Sequence, residues 1–166
     1  MVYHMVYHID GACRGNGQPG SIATATAIEN LRYGRWKGWT RRLPSFPVPT
    51  NQRAELAAII FALDIILQKH RSLGSRPLIN CVIHTDSRYA LTCVNEKMFK
   101  YAENNWKNSY GNPVANQDLI QTLFGLHHRI AGLGQVRYEW IAKEQNKLAN
   151  RVCHEDLDKQ EAVNAP

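Results

Sequence analysis

The spacing of apolar and polar positions changes along the chain, and it predicts three strands in the opening part. Val6 to Ala12 is short, apolar and rich in β-formers, and Ser21 to Glu29 alternates after a cluster of glycines and a proline. From Arg32 to Arg42, aromatic residues alternate with Arg and Lys as on a half-exposed strand. We therefore expect an antiparallel meander at the start of the chain.

A long helix is predicted next. Prolines at positions 44, 47 and 49 exclude regular structure, and Thr50 then stands where a helix N-cap is expected. The run from Asn51 to His70 is rich in helix formers and has a broad apolar face. This helix should pack flat against the sheet.

The second half predicts two more strands and three more helices, with a basic, aromatic segment from Lys97 to Tyr110 between them. The predicted ranges are a strand from Leu78 to His84, a helix from Arg88 to Asn95, a helix from about Asn116 to Ile130, a strand from Gln135 to Ala142 and a helix from Gln145 to Lys159. This order predicts a mixed α/β sheet with helices on its faces.

Length and composition fit one domain. A chain of 166 residues that is 44% hydrophobic can bury a single core, which we expect over residues 1–160, followed by a flexible tail over 161–166. The longest apolar run, Leu56 to Leu67, contains Asp64 and is too short for a membrane span. We expect no membrane partner.

The net charge of +6 and the pI near 9.3 favour a polyanionic partner, of which nucleic acid is the first candidate. The four cysteines lie far apart and form no C-x-x-C pair, and the opening MVYHMVYH carries no targeting signal. We therefore expect reduced thiols in an intracellular, reducing compartment, with nucleus and cytoplasm both open.

Three acids stand in apolar elements. Asp10 lies inside a predicted strand, Glu55 in the first turns of a predicted helix, and Asp86 just after a predicted strand. Taken singly, they are an ordinary turn residue, a first-turn helix acid and an N-cap. Taken together, they are costly to bury as anions unless a cation neutralises them, and a carboxylate cluster suits Mg²⁺. Two such ions about 4 Å apart can cleave a phosphodiester.

Four segments, taken in order, resemble type 1 cellular ribonuclease H: IDGACRGNG from Ile9, TNQRAELAAI from Thr50, TDSRYAL from Thr85 and WKNSYGNPVANQDLI from Trp106. The resemblance implies a ribonuclease H-like α/β fold, with a mixed five-stranded sheet of three antiparallel strands then parallel strands, and helices on both faces. It implies an endoribonuclease that hydrolyses the RNA strand of RNA–DNA hybrids with Mg²⁺, Mn²⁺ being a possible substitute, and leaves 5′-phosphate and 3′-hydroxyl ends. Asp10, Glu55 and Asp86 would be catalytic metal ligands in a monomer.

The same resemblance implies a set of nucleic-acid contacts. Cys13, Asn16, Asn51 and Gln52 match contacts to the RNA strand, Thr50 and Asn116 match residues that hold a DNA phosphate, and Tyr89, Trp106 and Ser109 match the channel for the DNA strand. Plain turn, cap and core roles are the alternative for these residues. Lys97, Lys100 and Lys107 would attract phosphates without regard to sequence.

The match to the family breaks near the end of the chain. A loop with its histidine is missing after Trp140, and Asn150 stands where the family has its fourth metal-binding carboxylate. An amide oxygen can ligate a metal but carries no charge, so we expect weaker metal binding and reduced activity. Val48 also stands where a basic residue often supports the phosphate pocket.

Three other interpretations stay open. The altered Asn150 corner and the missing loop would also fit a hybrid-binding module with weakened catalysis. The short final loop would fit the ribonuclease H domain of a retroelement polymerase. A DNA recombinase of the same fold is a remote alternative, because it would not explain the match at Cys13 and Asn16.

Overall fold

The computed structural model describes residues 1–165, whose strands form one five-stranded sheet in the order β3-β2-β1-β4-β5. The strands are β1 (Val2–Arg14), β2 (Ile22–Asn30), β3 (Trp36–Arg42), β4 (Leu78–Thr85) and β5 (Gly134–Trp140). The helices are α1 (Asn51–Ser72), α2 (Arg88–Thr92), α3 (Met98–Glu103), α4 (Gln117–Ala131) and α5 (Lys147–Asn164). None of the helices in this range is long and apolar enough to cross a membrane.

The pairing of the strands confirms the predicted sheet. Strands β1, β2 and β3 pair antiparallel, whereas β4 pairs parallel with β1 on one side and with β5 on the other. The register between β1 and β4 runs from Val2 opposite Leu78 to His8 opposite His84. The carboxyl ends of these two central strands therefore meet at the same edge of the sheet.

Helices cover both faces of the sheet, as the resemblance implied. Because successive side chains of a strand point to opposite faces, Ala25 and Ala27 of β2 join the main core with α1, while Thr24 faces the other way. There the Thr24 hydroxyl donates to Asp156 of α5 at 2.7 Å. The sheet is thus the middle layer between α1 and α5.

The structure differs from the sequence prediction at several element boundaries; the strand predicted from Arg32, for example, begins at Trp36, after a 3-10 turn over Arg32–Gly34. Strand β1 begins at Val2, because the repeated opening segment pairs with β4 as far as His8. A π-helical segment, Cys93–Lys97, joins α2 to α3, so the helix predicted to end at Asn95 continues to Glu103. The tail predicted over 161–166 is helical as far as Asn164, since α5 continues by more than a turn, and Pro166 lies outside the described residues.

Gly11 fixes how closely α1 approaches β1. A Cβ atom built at this position would lie 2.1 Å from the backbone oxygen of Ala54, far inside contact distance. Only a residue without a side chain lets the helix backbone rest on the strand there. Since Asp10 and Glu55 are the chain neighbours of these two residues, the same contact positions both acids.

We expect Gly11→Ala to lower the free energy of unfolding by about 3 kcal/mol or more, because α1 must move away from β1. Gly125→Ala is the matched control, because Gly125 is at an exposed position of α4 and an added Cβ would meet no neighbouring atom within 4 Å. There we expect a gain of about 0.5–1 kcal/mol from helix propensity. Urea denaturation of the two variants would contradict this account if Gly11→Ala were as stable as Gly125→Ala.

Candidate active site

The three acids converge at the carboxyl edge of the central strands. Asp10 is in β1 and only 8% exposed, and Asp86 follows β4 directly. The β1–β4 register, extended two residues past His8 and His84, sets Asp10 beside Asp86. Glu55 reaches the same corner from the second turn of α1, which the Gly11 contact holds against β1.

Each acid accepts a hydrogen bond from a different neutral side chain. The Ser87 hydroxyl donates to Glu55 Oε2 at 2.6 Å, and Asn150 Nδ2 donates to Asp10 Oδ2 at 3.1 Å. The buried amide of Asn146 donates both to Asp86 Oδ2 at 3.3 Å and to the backbone oxygen of Ile9 at 2.8 Å. Neutral donors thus hold the carboxylates in place without cancelling their charge.

The site concentrates negative charge with no cationic side chain to balance it. All ion pairs found within residues 1–165 involve other acids. Burial, and then the nearby charge of Asp86, raise the pKa of Asp10 to about 7. Burial also raises the pKa of Glu55, against the effect of the Ser87 hydrogen bond, and the Asp86 charge adds to the increase.

The donor atoms suit a hard divalent cation, which prefers oxygen ligands. Among residues 1–165, no group of three or more His, Cys, Asp and Glu side chains is arranged to hold a metal ion by itself. Mg²⁺ does not require such a cage, since it commonly binds one or two carboxylates, several waters and a substrate phosphate. Three neighbouring carboxylates without a paired cationic side chain fit an ion that is bound partly by the protein and partly by the substrate.

The turn after β1 is tied to the start of α1 by three of the predicted RNA-strand residues. The backbone N–H of Cys13 donates to Asn51 Oδ1 at 3.1 Å, and the backbone N–H of Asn51 donates to Asn16 Oδ1 at 2.8 Å. Asn16 and Asn51 are exposed and Cys13 is half-buried. Their polar groups therefore line the surface that begins at Asp10 and Glu55.

Hydrogen bonds near the start of α1 link Thr50, Tyr89 and Asn116, three of the residues predicted to contact DNA. Asn116 Nδ2 donates to the Tyr89 hydroxyl at 2.8 Å and to Gln52 Oε1 at 3.4 Å. Arg53 links Asn116 to Thr50, because its guanidinium approaches Asn116 Oδ1 at 3.5 Å and its backbone N–H donates to Thr50 Oγ1 at 3.1 Å. Thr50 and Asn116 thus lie within one connected network.

Trp106 and Ser109 lie in the loop that follows α3. The Trp106 ring packs edge-on against Phe124 with a centroid separation of 5.7 Å and is half-buried. Ser109 is exposed, and its side chain makes no hydrogen bond within residues 1–165. The structure therefore assigns Ser109 no partner in the site.

The ammonium group of Lys97 lies over the Tyr89 ring, 5.6 Å from its centroid. Lys100 and Lys107, which are nearby in sequence, are exposed.

Residues 3–160 match the family model for RNase H. The chain belongs to the ribonuclease H family. It is 31% identical over 163 residues to ribonuclease H of Alkalilimnicola ehrlichii, covering 94% of this chain and 96% of that protein. The fold is similar to LC9-RNase H1, a type 1 RNase H with the type 2 active-site motif: TM-score 0.69, 23% identity, and coverage of 93% of this chain and 72% of that one. LC11-RNase H1 in complex with RNA/DNA hybrid matches at TM-score 0.65 and 19% identity, over 94% and 98% of the two chains.

Members of the ribonuclease H family depend on divalent metal ions, which agrees with the charge of this corner. In this member, Asn150 projects from the first turns of α5 and contacts Asp10 directly. The connection before α5 is only residues 141–146, which includes a 3-10 turn. Val48 is 38% exposed in the proline-rich segment before α1.

None of the nearby acids of this ribonuclease H takes the position of a fourth carboxylate. Asp156 is buried under the sheet, where Thr24, Gln160 and the Arg42 guanidinium bond to it. Glu155 is exposed and pairs with Arg151, and Glu144 is exposed in the connection before α5. Asn150 is therefore the side chain of α5 that contacts Asp10.

Sequence reasoning did not include Ser87, Asn146 and Arg53 in the site of this ribonuclease H. The N-cap that sequence reasoning offered for Asp86 is Ser87 instead, since the Ser87 hydroxyl accepts from the Ala90 N–H at 3.1 Å. Its second role, the bond to Glu55, depends on tertiary packing. Asn146 bonds to the backbone of Ile9, 137 residues away in sequence, so spacing within one segment does not show this contact. Arg53 stands beside Gln52 but was not distinguished from an ordinary surface arginine.

Metal-free Asp10→Asn should be more stable than the native chain at pH 8. Below pH 3.8 Asp10 is protonated in both the folded and the unfolded chain. Between pH 3.8 and about 7 only the folded chain holds this proton, so the free energy of unfolding falls as the pH rises. The fall is complete above about pH 7. We expect a gain of about 1–3 kcal/mol from the neutral amide at pH 8 and almost none near pH 3.

Asp118→Asn is the control for this prediction. The hydrogen bond from Arg53 lowers the pKa of Asp118, so its loss should destabilise the fold at pH 8. Chemical denaturation in EDTA at both pH values measures the two effects. A native chain that is more stable than Asp10→Asn at pH 8 would mean that the cluster is already compensated.

Proposed function

We propose that this chain is an endoribonuclease that hydrolyses the RNA strand of RNA–DNA hybrids with Mg²⁺, leaving 5′-phosphate and 3′-hydroxyl ends. One observation carries the proposal: Asp10, Glu55 and Asp86 form an anionic corner, and none of the three acids is in an ion pair within residues 1–165. Family membership over residues 3–160 supports the same activity. Mn²⁺, which also prefers oxygen ligands, should substitute for Mg²⁺.

The residues that would hold metal are Asp10, Glu55, Asp86 and Asn150. When bound, a pair of divalent ions supplies an activated water and stabilises the leaving oxygen of the phosphodiester. The Asn150 amide nitrogen donates a hydrogen bond to Asp10 Oδ2. A 180° rotation of that amide presents its oxygen instead, which is neutral and hence a weaker ligand than a carboxylate.

The other side chains of the corner orient the ligands. Ser87 holds Glu55 through a short hydrogen bond, and Asn146 links Asp86 to the backbone of β1. Such supporting bonds restrict the carboxylates to a few positions before substrate arrives. We therefore assign Ser87 and Asn146 as positioning residues, since neither replaces the charge that binds metal.

The hybrid would be recognised around the start of α1, where the two sets of predicted contacts lie next to each other. Cys13, Asn16, Asn51 and Gln52 offer backbone and amide groups suited to 2′-hydroxyls of the RNA strand, which distinguish it from DNA. Thr50 and Asn116, joined through Arg53, would hold a DNA phosphate, and the half-buried rings of Tyr89 and Trp106 would face the DNA strand. Ser109 is assigned to the same channel, with its exposure as the only structural support.

The protein is proposed to act as a monomer and as a single domain over residues 1–160, because the strands, helices and loops that carry the proposed site belong to one sheet and the helices packed on it. All four cysteines are unpaired, and three of them are buried. Unpaired thiols suit a reducing, intracellular compartment, which we propose as the place where the protein works.

A second candidate function is a hybrid-binding module with weakened catalysis. Asn150 favours it, because replacing one of four carboxylates lowers the charge available to a metal. The intact Asp10, Glu55 and Asp86 favour the nuclease. The two functions differ in turnover and not in binding, so one experiment separates them.

Cleavage of a labelled RNA–DNA hybrid tests the proposal, with RNA–RNA and DNA–DNA duplexes as substrate controls in Mg²⁺ and in Mn²⁺. We expect hybrid-only cleavage that falls more than about a hundredfold in Asp10→Asn, since changing outer-shell partners alone typically costs about 10- to 100-fold. Asn150→Asp should reach half-maximal rate at about tenfold lower Mg²⁺. Tight hybrid binding without cleavage by the native chain would establish the binding module instead.

The metal requirement should depend on pH in a defined direction. Because burial raises the pKa of Asp10 to about 7, a proton competes with the metal for this carboxylate below that pH. The Mg²⁺ concentration for half-maximal cleavage should therefore rise about tenfold for each unit of pH below about 7. A requirement that stays constant between about pH 5.5 and 7 would show that Asp10 is already ionised there.

A further inference from the structure

A concave pocket of about 610 Å³ lies at the end of the sheet opposite the carboxylates. It is formed where α1 and α4 end and where β4 begins, and its main lining residues are Leu67, Arg71, Arg76, Leu78, Arg129 and Leu133. Leu78 and Asp86 stand at opposite ends of β4, which separates the pocket from the carboxylates by about 26 Å. It is therefore a site distinct from the proposed active site.

Three arginines from three different segments meet around this pocket. Arg71 is in the last turn of α1, Arg129 is in the last turn of α4, and Arg76 is in the connection between α1 and β4. All three are exposed, and the ion pairs and side-chain hydrogen bonds found within residues 1–165 include none of them. No Asp or Glu lines the pocket. One pocket thus carries three unpaired positive charges, in a chain whose net charge is +6.

The backbone conformation of Arg76 is the strongest indication that this cluster of arginines binds a ligand. Arg71 and Arg129 could serve only to complement the C-terminal ends of their helices. Arg76 is outside any helix and has φ of 44°, a left-handed conformation that residues with side chains rarely adopt and that the following Pro77 disfavours further. An unfavourable backbone that turns a third guanidinium to the same pocket points to a ligand.

The floor of the pocket is apolar. Leu67 is 7% exposed and closes its base, whereas Leu78 is 62% exposed at its edge, which is unusual for a leucine that begins a central strand. The volume lies within the range of small-molecule sites, about 300–1,000 Å³. A ligand that fits should carry strong negative charge at one end and a flat or apolar part at the other.

We propose that this pocket binds a phosphorylated ligand of nucleotide size, with Arg71, Arg76 and Arg129 holding the phosphate. A guanidinium presents paired N–H donors that match phosphate oxygens, which makes arginine the suited residue. The leucine floor would contact the nucleoside. The phosphate can come from a free nucleotide or from a nucleic-acid backbone that extends past the active site. The proposal does not depend on the nuclease activity.

Nuclear magnetic resonance titrations of the backbone amides test this proposal on the full chain in EDTA. The probes are inorganic phosphate, adenosine 5′-diphosphate and a blunt DNA duplex. The pocket variant combines Arg71→Gln, Arg76→Gln and Arg129→Gln. The control combines Arg32→Gln, Arg35→Gln and Lys37→Gln, which removes the same charge from exposed residues of the β2–β3 turn and the start of β3. Arg76→Gln alone leaves both helices intact and repeats the test if the triple variant unfolds.

We expect saturable shifts at residues 71–78 and 129–133 with at least one probe, with affinity falling about tenfold or more in the pocket variant and less than about twofold in the control. Shifts with the diphosphate or inorganic phosphate would assign a free ligand, and shifts with the duplex alone would assign a nucleic-acid backbone. The proposal is overturned if no probe gives saturable shifts there, or if both triple variants weaken binding equally.

Discussion

Electrostatic repulsion among three partly buried carboxylates is the physical constraint on which the proposed site depends. Asp10 and Asp86 are set side by side by the parallel register of β1 and β4, and Glu55 is added by the contact of α1 with Gly11. No arginine or lysine of the described residues pairs with them, and burial works against their ionisation. The fold therefore keeps an electrostatic cost that a bound divalent cation would relieve.

Neutral amides and a hydroxyl hold the carboxylates of this corner in place. Asn150 and Asn146 donate to Asp10 and Asp86, so the helix α5 contributes donors where a fourth carboxylate would add further repulsion. Under the proposed function, the neutral Asn150 would lower the charge offered to a metal and would also lower the repulsion among the acids when no metal is bound.

Sequence reasoning recovered what depends on local pattern and missed what depends on distant contacts. The strand alternation, the Thr50 cap and the long apolar helix were readable because each follows from spacing within one segment. The start of β1 at Val2 was missed because its partner, β4, lies more than seventy residues away in sequence. Asn146 escaped for the same reason, and the three arginines of the remote pocket come from separate segments. The acids were found because a family resemblance joined three individually ordinary residues.

Anomalous X-ray scattering from crystals soaked in Mn²⁺ tests directly whether the anionic corner binds divalent metal. We expect a peak at about 2.1 Å from carboxylate oxygens of Asp10 and Asp86, as for a small hard cation, and we expect it to disappear in Asp10→Asn. Crystals that show no peak at these carboxylates in saturating Mn²⁺, with the corner intact, would mean that the three acids do not form a metal site.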